Sequence, residues 1–111
     1  MMWWERGRSG SYEKLRLLWW RFRRVGGDVY LLRFPPGGSA HWHYDRIENG
    51  RHYRLNIELR KPRVGGFETR ERVFRLGRLA VFRPDRVLHR VSAVSDERLV
   101  LSFGLGVTDG H

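Results

Sequence analysis

The chain has 111 residues, 41% hydrophobic and 14% aromatic, with a formal net charge of +10. These values describe one globular domain, residues 1–111, with room for a single core, and exclude a chain disordered throughout. Without cysteine there are no disulfides, thiolate nucleophiles or cysteine-held zinc, so any metal must be bound by His, Asp or Glu.

All but two of the basic residues are arginine, the exceptions being Lys14 and Lys61. So positive a surface attracts phosphate, which makes nucleic acid or another polyanion a candidate partner. The charges are spread along the whole chain, which fits an ordinary solvated arginine-rich surface better. No apolar run approaches the roughly 20 residues that cross a bilayer, and no signal-peptide pattern opens the chain. The expectation is a cytoplasmic protein with no membrane partner.

The first expected element is a helix over residues 11–25. Ser11 is placed to cap it, Glu13 lies in its first turn, Arg21, Arg23 and Arg24 crowd its end, and Gly26-Gly27 stop it. Tyr12, Leu15, Trp19 and Phe22 recur every three or four residues, the stripe of a helix packed outside a sheet. Trp3, Trp4 and Trp20 fall off that stripe, either as core padding or as a contact surface for a second copy in a homodimer.

Beyond Gly27 the period changes to two. Strands are expected at Asp28–Phe34, Ser39–Asp45, His52–Arg60, Phe67–Thr69, Glu71–Leu76, Leu79–Arg83, Leu88–Val94 and Arg98–Leu105. Pro35-Pro36-Gly37-Gly38, Glu48-Asn49-Gly50, Gly65-Gly66, Gly77, Pro84-Asp85 and Ser95-Asp96 punctuate them. Eight strands between Asp28 and Leu105 leave no room for helical crossovers, so a parallel α/β sheet is excluded. The class is all-β, closed or sandwiched, with one helix docked outside.

His43 and Asp45 are two residues apart and leave the same face of an extended segment. His89 begins a later strand and shares a face with Val91 and Ala93. Two imidazoles and a carboxylate can take one triangular face of six-coordinate iron(II) and leave the other open. On the last strand Arg98, Val100 and Ser102 line one face. An arginine buried there needs an anion, and a bound carboxylate would supply one.

These residues resemble the iron(II)- and 2-oxoglutarate-dependent dioxygenases. His43-Tyr44-Asp45 looks like the family's HxD motif. Tyr53-Arg54-Leu55-Asn56-Ile57, followed by Gly65-Gly66-Phe67, looks like its third strand and the glycine turn beyond. Leu79–Arg83, His89-Arg90-Val91 and Arg98 fit its sixth, seventh and eighth strands. The resemblance runs from about Asp28 to Leu105 and implies a double-stranded β-helix, or jelly roll. It implies His43, Asp45 and His89 as iron ligands and Arg98 as partner of the distal 2-oxoglutarate carboxylate, with Ser102, Arg54 and Asn56 as further cofactor-binding residues. The implied reaction consumes dioxygen and 2-oxoglutarate, releases succinate and carbon dioxide, and hydroxylates a C–H bond of a substrate the residues do not name. The gap from His89 to Arg98 is about one residue shorter than in prolyl-hydroxylase-like members, and Val100 stands where some members carry a hydroxyl. Arg54 is therefore an alternative anchor.

The chain also resembles a cupin, which shares the jelly roll. Pro35-Pro36-Gly37-Gly38 followed by His41, His43 and Glu48, with His89 later, implies a metal held by three histidines and a glutamate. A metal-free module with arginines as its phosphate-binding face is the remaining reading. His52 and His111 carry no assigned role, and Trp42 is expected in the core.

Overall fold

A computed structural model describes residues 4–7, 10–47 and 50–108. Its strands are β1 (Glu5–Arg6), β2 (Glu13–Phe22), β3 (Val25–Phe34), β4 (Ala40–His43), β5 (Gly50–Arg60), β6 (Gly66–Thr69), β7 (Phe74–Leu76), β8 (Leu79–Phe82), β9 (His89–Ser92) and β10 (Arg98–Thr108). They form a seven-stranded sheet in the order β1-β2-β3-β10-β5-β8-β7 and a three-stranded sheet in the order β4-β9-β6. All the pairings are antiparallel.

The expected helix over residues 11–25 is absent, and no helix occurs among the described residues. Residues 13–22 instead form a long hairpin with β3, turning at Arg23-Arg24, where Arg23 takes a left-handed φ of 57°. Two features explain the difference. A register shift between Arg16 and Leu18 leaves Leu17 unpaired and puts Leu15, Leu18, Trp20 and Phe22 on one face of β2 and Trp19 on the other, so the three-to-four spacing corresponds to no single face of the strand. The ten-residue β3 also offers a complete hydrogen-bonding partner, which outweighs the modest helix preference of Leu, Arg and Trp. The residues read as helix signals do other work. Glu13 pairs with Arg33 across the hairpin at 2.6 Å, and the Ser11 hydroxyl accepts a bond from the Ser39 amide at 3.0 Å. Gly27 lies inside β3, where a Cβ would enter the Trp20 indole.

The eight strands expected beyond Gly27 are all present, with ends shifted by a few residues; Glu71–Leu76 shortens to β7, and the last strand continues to Thr108. The buried core between the sheets contains Phe34, Ala40, Val91 and Val94, with Tyr12, Leu32 and Phe67 packed against it. Tyr12 stacks on Phe34 with ring centroids 4.7 Å apart. β10 runs through the middle of the large sheet between β3 and β5, and its Val100 and Ser102 are fully buried.

The tryptophans do not fill this core. The Arg33 guanidinium lies 4.3 Å from the Trp4 ring centre, and Trp42, expected inside, lies between Arg70 and Arg90 at 4.7 and 4.8 Å. Trp3 lies outside the described residues. On β2, Leu18, Trp19 and Phe22 are exposed. β1 covers the outer edge of β2 only at Glu13 and Lys14, so among the described residues Leu15–Phe22 has no strand on that side.

Candidate metal centre

His43 ends β4 and His89 begins β9, and the two are directly paired across that ladder. Direct pairing brings side chains on one face together, and here the ring centroids are 4.2 Å apart. Asp45 follows two residues after His43 and is anchored by its own amide, which donates to the Pro84 carbonyl at 2.7 Å. Its Oδ2 lies 3.6 Å from His43 Nε2 and 3.2 Å from His89 Nε2. One ligand atom from each of the three residues falls within 4.8 Å of the others, the spacing of groups able to hold one ion.

Both imidazoles are oriented by the backbone. His43 Nδ1 donates to the His41 carbonyl at 2.5 Å, and His89 Nδ1 donates to the Val87 carbonyl at 2.8 Å. With Nδ1 holding one proton, each Nε2 is left to take either a metal or a second proton that it donates to Asp45, the outer-shell arrangement that fixes a metal-binding tautomer. Phe82 and Phe67 flank the buried His89 ring at 5.2 and 6.1 Å.

The charges agree with this geometry. Burial opposes ionisation of Asp45, but hydrogen bonds from His43 and His89 outweigh it and hold the carboxyl far below its ordinary range. Burial likewise opposes protonation of His43, yet the Asp45 hydrogen bond, the His41 carbonyl and the Asp45 charge together raise its pKa above 6.5. The three groups thus bind a proton in place of a metal. Divalent cations compete for the same atoms.

The triad opens on a cavity of about 530 Å³ between the sheets. Its walls include all four residues expected to bind an oxoacid: Arg98, Ser102, Arg54 and Asn56. Ser102 on β10 pairs with Asn56 on β5, and its hydroxyl donates to Asn56 Oδ1 at 2.5 Å. Arg54 donates to Ser102 Oγ at 2.7 Å and pairs with the Asp28 carboxylate. Arg98 is 2% exposed and already has its anion, donating from Nε to Glu58 Oε2 at 2.9 Å. Burial lowers the pKa of Arg98, and Glu58 opposes that shift.

Of the cupin ligand set, His43 and His89 meet at the site. His41 is exposed and contributes its carbonyl to orienting His43, while Glu48 lies outside the described residues. His43, Asp45 and His89 are the one cluster of metal-ligating side chains among the described residues. The cavity residues to which the sequence assigned no role include Lys14 on β2, Asp28 and Tyr30 on β3, and Arg46. Lys14 fell within the expected helix, so nothing local placed it beside the site.

Neither a family model nor a curated protein matches the sequence. Among solved structures, the chain is similar to a Pseudomonas putida prolyl-4-hydroxylase at 17% identity and TM-score 0.68, over 96% of this chain and 78% of that one. It is also similar to a cupin-like protein from Thermotoga maritima at 26% identity and TM-score 0.54, over 95% and 80% of the two chains. A cupin-2 domain from Rhodospirillum rubrum matches at 17% identity and TM-score 0.54, over 100% and 69%. The fold is cupin-like: antiparallel, all-β, and carrying a His-Asp-His group suited to a metal ion.

Proposed function

We propose that the protein is an iron(II)- and 2-oxoglutarate-dependent oxygenase that hydroxylates a C–H bond. The observation that carries this reading is the convergence of His43, Asp45 and His89 on one point at the edge of a polar-floored cavity. Two neutral nitrogens and one carboxylate on a single face form the donor set of non-haem iron oxygenases, with positions left for other ligands. The likeness in fold to a prolyl-4-hydroxylase is consistent with it.

The donor chemistry fits iron(II). When bound, the metal supplies dioxygen activation coupled to oxidative decarboxylation of the oxoacid, one oxygen atom entering succinate and the other the hydroxyl of the product. The chain's own part is positioning. The His41 and Val87 carbonyls hold the imidazole protons on Nδ1, Asp45 stays ionised, and Phe67 and Phe82 fix the plane of His89. Leu32, Phe34, Phe82 and Val91 give the cavity an apolar wall.

A second reading, a cupin that binds metal without an oxoacid, is favoured by the internal pairing of Arg54 and Arg98. The test is succinate formation by the iron(II)-loaded protein supplied with 2-oxoglutarate and air. Turnover abolished by Asp45→Ala supports the oxygenase. Tight metal binding with neither succinate formation nor oxoacid binding supports the second reading. Salt-sensitive DNA or RNA binding that ignores chelators would favour the metal-free module. Cytoplasmic location and dimerisation remain part of the proposal; no helix of the described chain is long and apolar enough to cross a membrane.

A further inference from the structure

One face of β5 is polar along most of its length: His52, Arg54, Asn56 and Glu58 alternate with Tyr53, Leu55 and Ile57 on the other face. His52, Arg54 and Asn56 line the cavity, and Glu58 holds Arg98 beyond them. A polar face turned inward needs a partner at each residue. Asn56 and Arg54 find theirs in Ser102 and Asp28. His52 finds its own at the metal centre. Its Nδ1 donates to the Asp45 backbone carbonyl at 3.0 Å, and its Nε2 accepts from Arg54 Nε at 3.4 Å. The residue paired with it on β10 is Gly106, which has no side chain to hold the ring.

We infer that His52 is a positioning residue of the metal centre: it holds the Asp45 peptide from β5 and ties it to the polar floor of the cavity. That role presupposes that His43, Asp45 and His89 bind a metal, and it does not depend on an oxoacid. His43 and His89 are set by direct pairing across the β4–β9 ladder, whereas Asp45 lies two residues beyond the end of β4. Its peptide is gripped from two sides instead. The amide donates to the Pro84 carbonyl at 2.7 Å, in the segment between β8 and β9, and the carbonyl takes the His52 proton. Without the second grip the peptide is free to turn about the first and carry its carboxylate off the point it shares with the two imidazoles. Imidazole suits the task because it offers a donor and an acceptor on one rigid ring. The donor meets Asp45, and the acceptor meets Arg54, which is itself fixed by Ser102 and Asp28.

The test is titration of the whole chain with Co(II), whose visible absorption reports the geometry of its ligands. His52→Gln puts an amide where Nε2 lies and loses the donor to Asp45, while His52→Asn puts an N–H where Nδ1 lies and keeps it. His52→Gln is expected to weaken Co(II) on the order of 10- to 100-fold, the cost of losing an outer-shell partner, and to shift the absorption bands. His52→Asn is expected to keep both near wild type, a recovery that a side chain needed only for packing would not show. Equal losses in the two variants, or a His52→Gln protein with wild-type affinity and spectrum, overturn the role of His52 and leave the metal centre standing. Nitrogen NMR of the metal-free wild-type protein needs no variant. In alkaline solution, where the ring carries a single proton, that proton is expected on Nδ1, and finding it on Nε2 overturns the same role. A wild-type protein that takes up no Co(II) overturns the metal-centre reading and the role with it.

Discussion

His43 and His89 face each other across a single rung of the β4–β9 ladder, and Asp45 closes the triangle from the segment just beyond β4. None of the three is placed by a flexible loop tip: two are on strands, and the third has its amide bonded to Pro84. Replacing any one with Ala should weaken Mn(II) or Fe(II) by more than the roughly 10- to 100-fold that removing an outer-shell partner costs. Calorimetric metal titration of each variant checks this. Retained affinity in Asp45→Ala would remove the carboxylate from the ligand set.

The site should bind metal less well in acid. His43 has a raised pKa, so it takes up a proton as pH falls through a value above 6.5, and the metal must then displace that proton. Asp45 stays ionised far below its ordinary range and adds no pH dependence there. Affinity should therefore fall as pH drops through the raised pKa of His43, which lies above 6.5, and hold level at higher pH. Titrations over a bracketing pH series, with proton release measured, read both quantities.

Most of the fold beyond Gly27 was legible in the sequence, because Pro and Gly breaks and period-two alternation mark strands locally. β2 was not. Its pattern is distorted at Leu17, and its identity is settled by β3, which pairs with it along its length. The two-residue spacing of His43 and Asp45 likewise predicted a shared face, whereas the meeting with His89 depends on strand pairing. The Arg98–Glu58 contact also depends on strand pairing, because β5 sets Glu58 opposite Val100, the next residue on the same face of β10 as Arg98.

That contact is a stability element. Glu58→Leu leaves a buried guanidinium without its carboxylate and should cost roughly 3–5 kcal/mol. The double replacement Glu58→Leu with Arg98→Met should recover much of the loss, since a buried pair and a packed apolar pair are often similar in stability. Urea unfolding of the three proteins measures it. A fully stable Glu58→Leu would show that Arg98 finds another partner.

Gly104 is paired with Asp28 on one side and Arg54 on the other, so the ion pair of those residues crosses directly above it. A Cβ there would enter the Arg54 guanidinium and come 2.6 Å from Asp28 Oδ1. Gly104→Ala should therefore destabilise by about 1–3 kcal/mol, the usual range for overpacking, and displace Arg54 from Ser102. Thermal unfolding gives the first effect, and a crystal structure of the variant gives the second.

Among the described residues, the outer margin of β2 past Lys14 leaves a row of peptide groups and tryptophan-rich surface open to any passing strand. Such margins invite one molecule to stack on the next. What opposes this is like-charge repulsion from Arg16 and Arg21 on the strand and from the +10 of the whole chain. Concentrated salt would screen that repulsion and leave the bare margin free to polymerise, so the arginine excess acts as a dispersant.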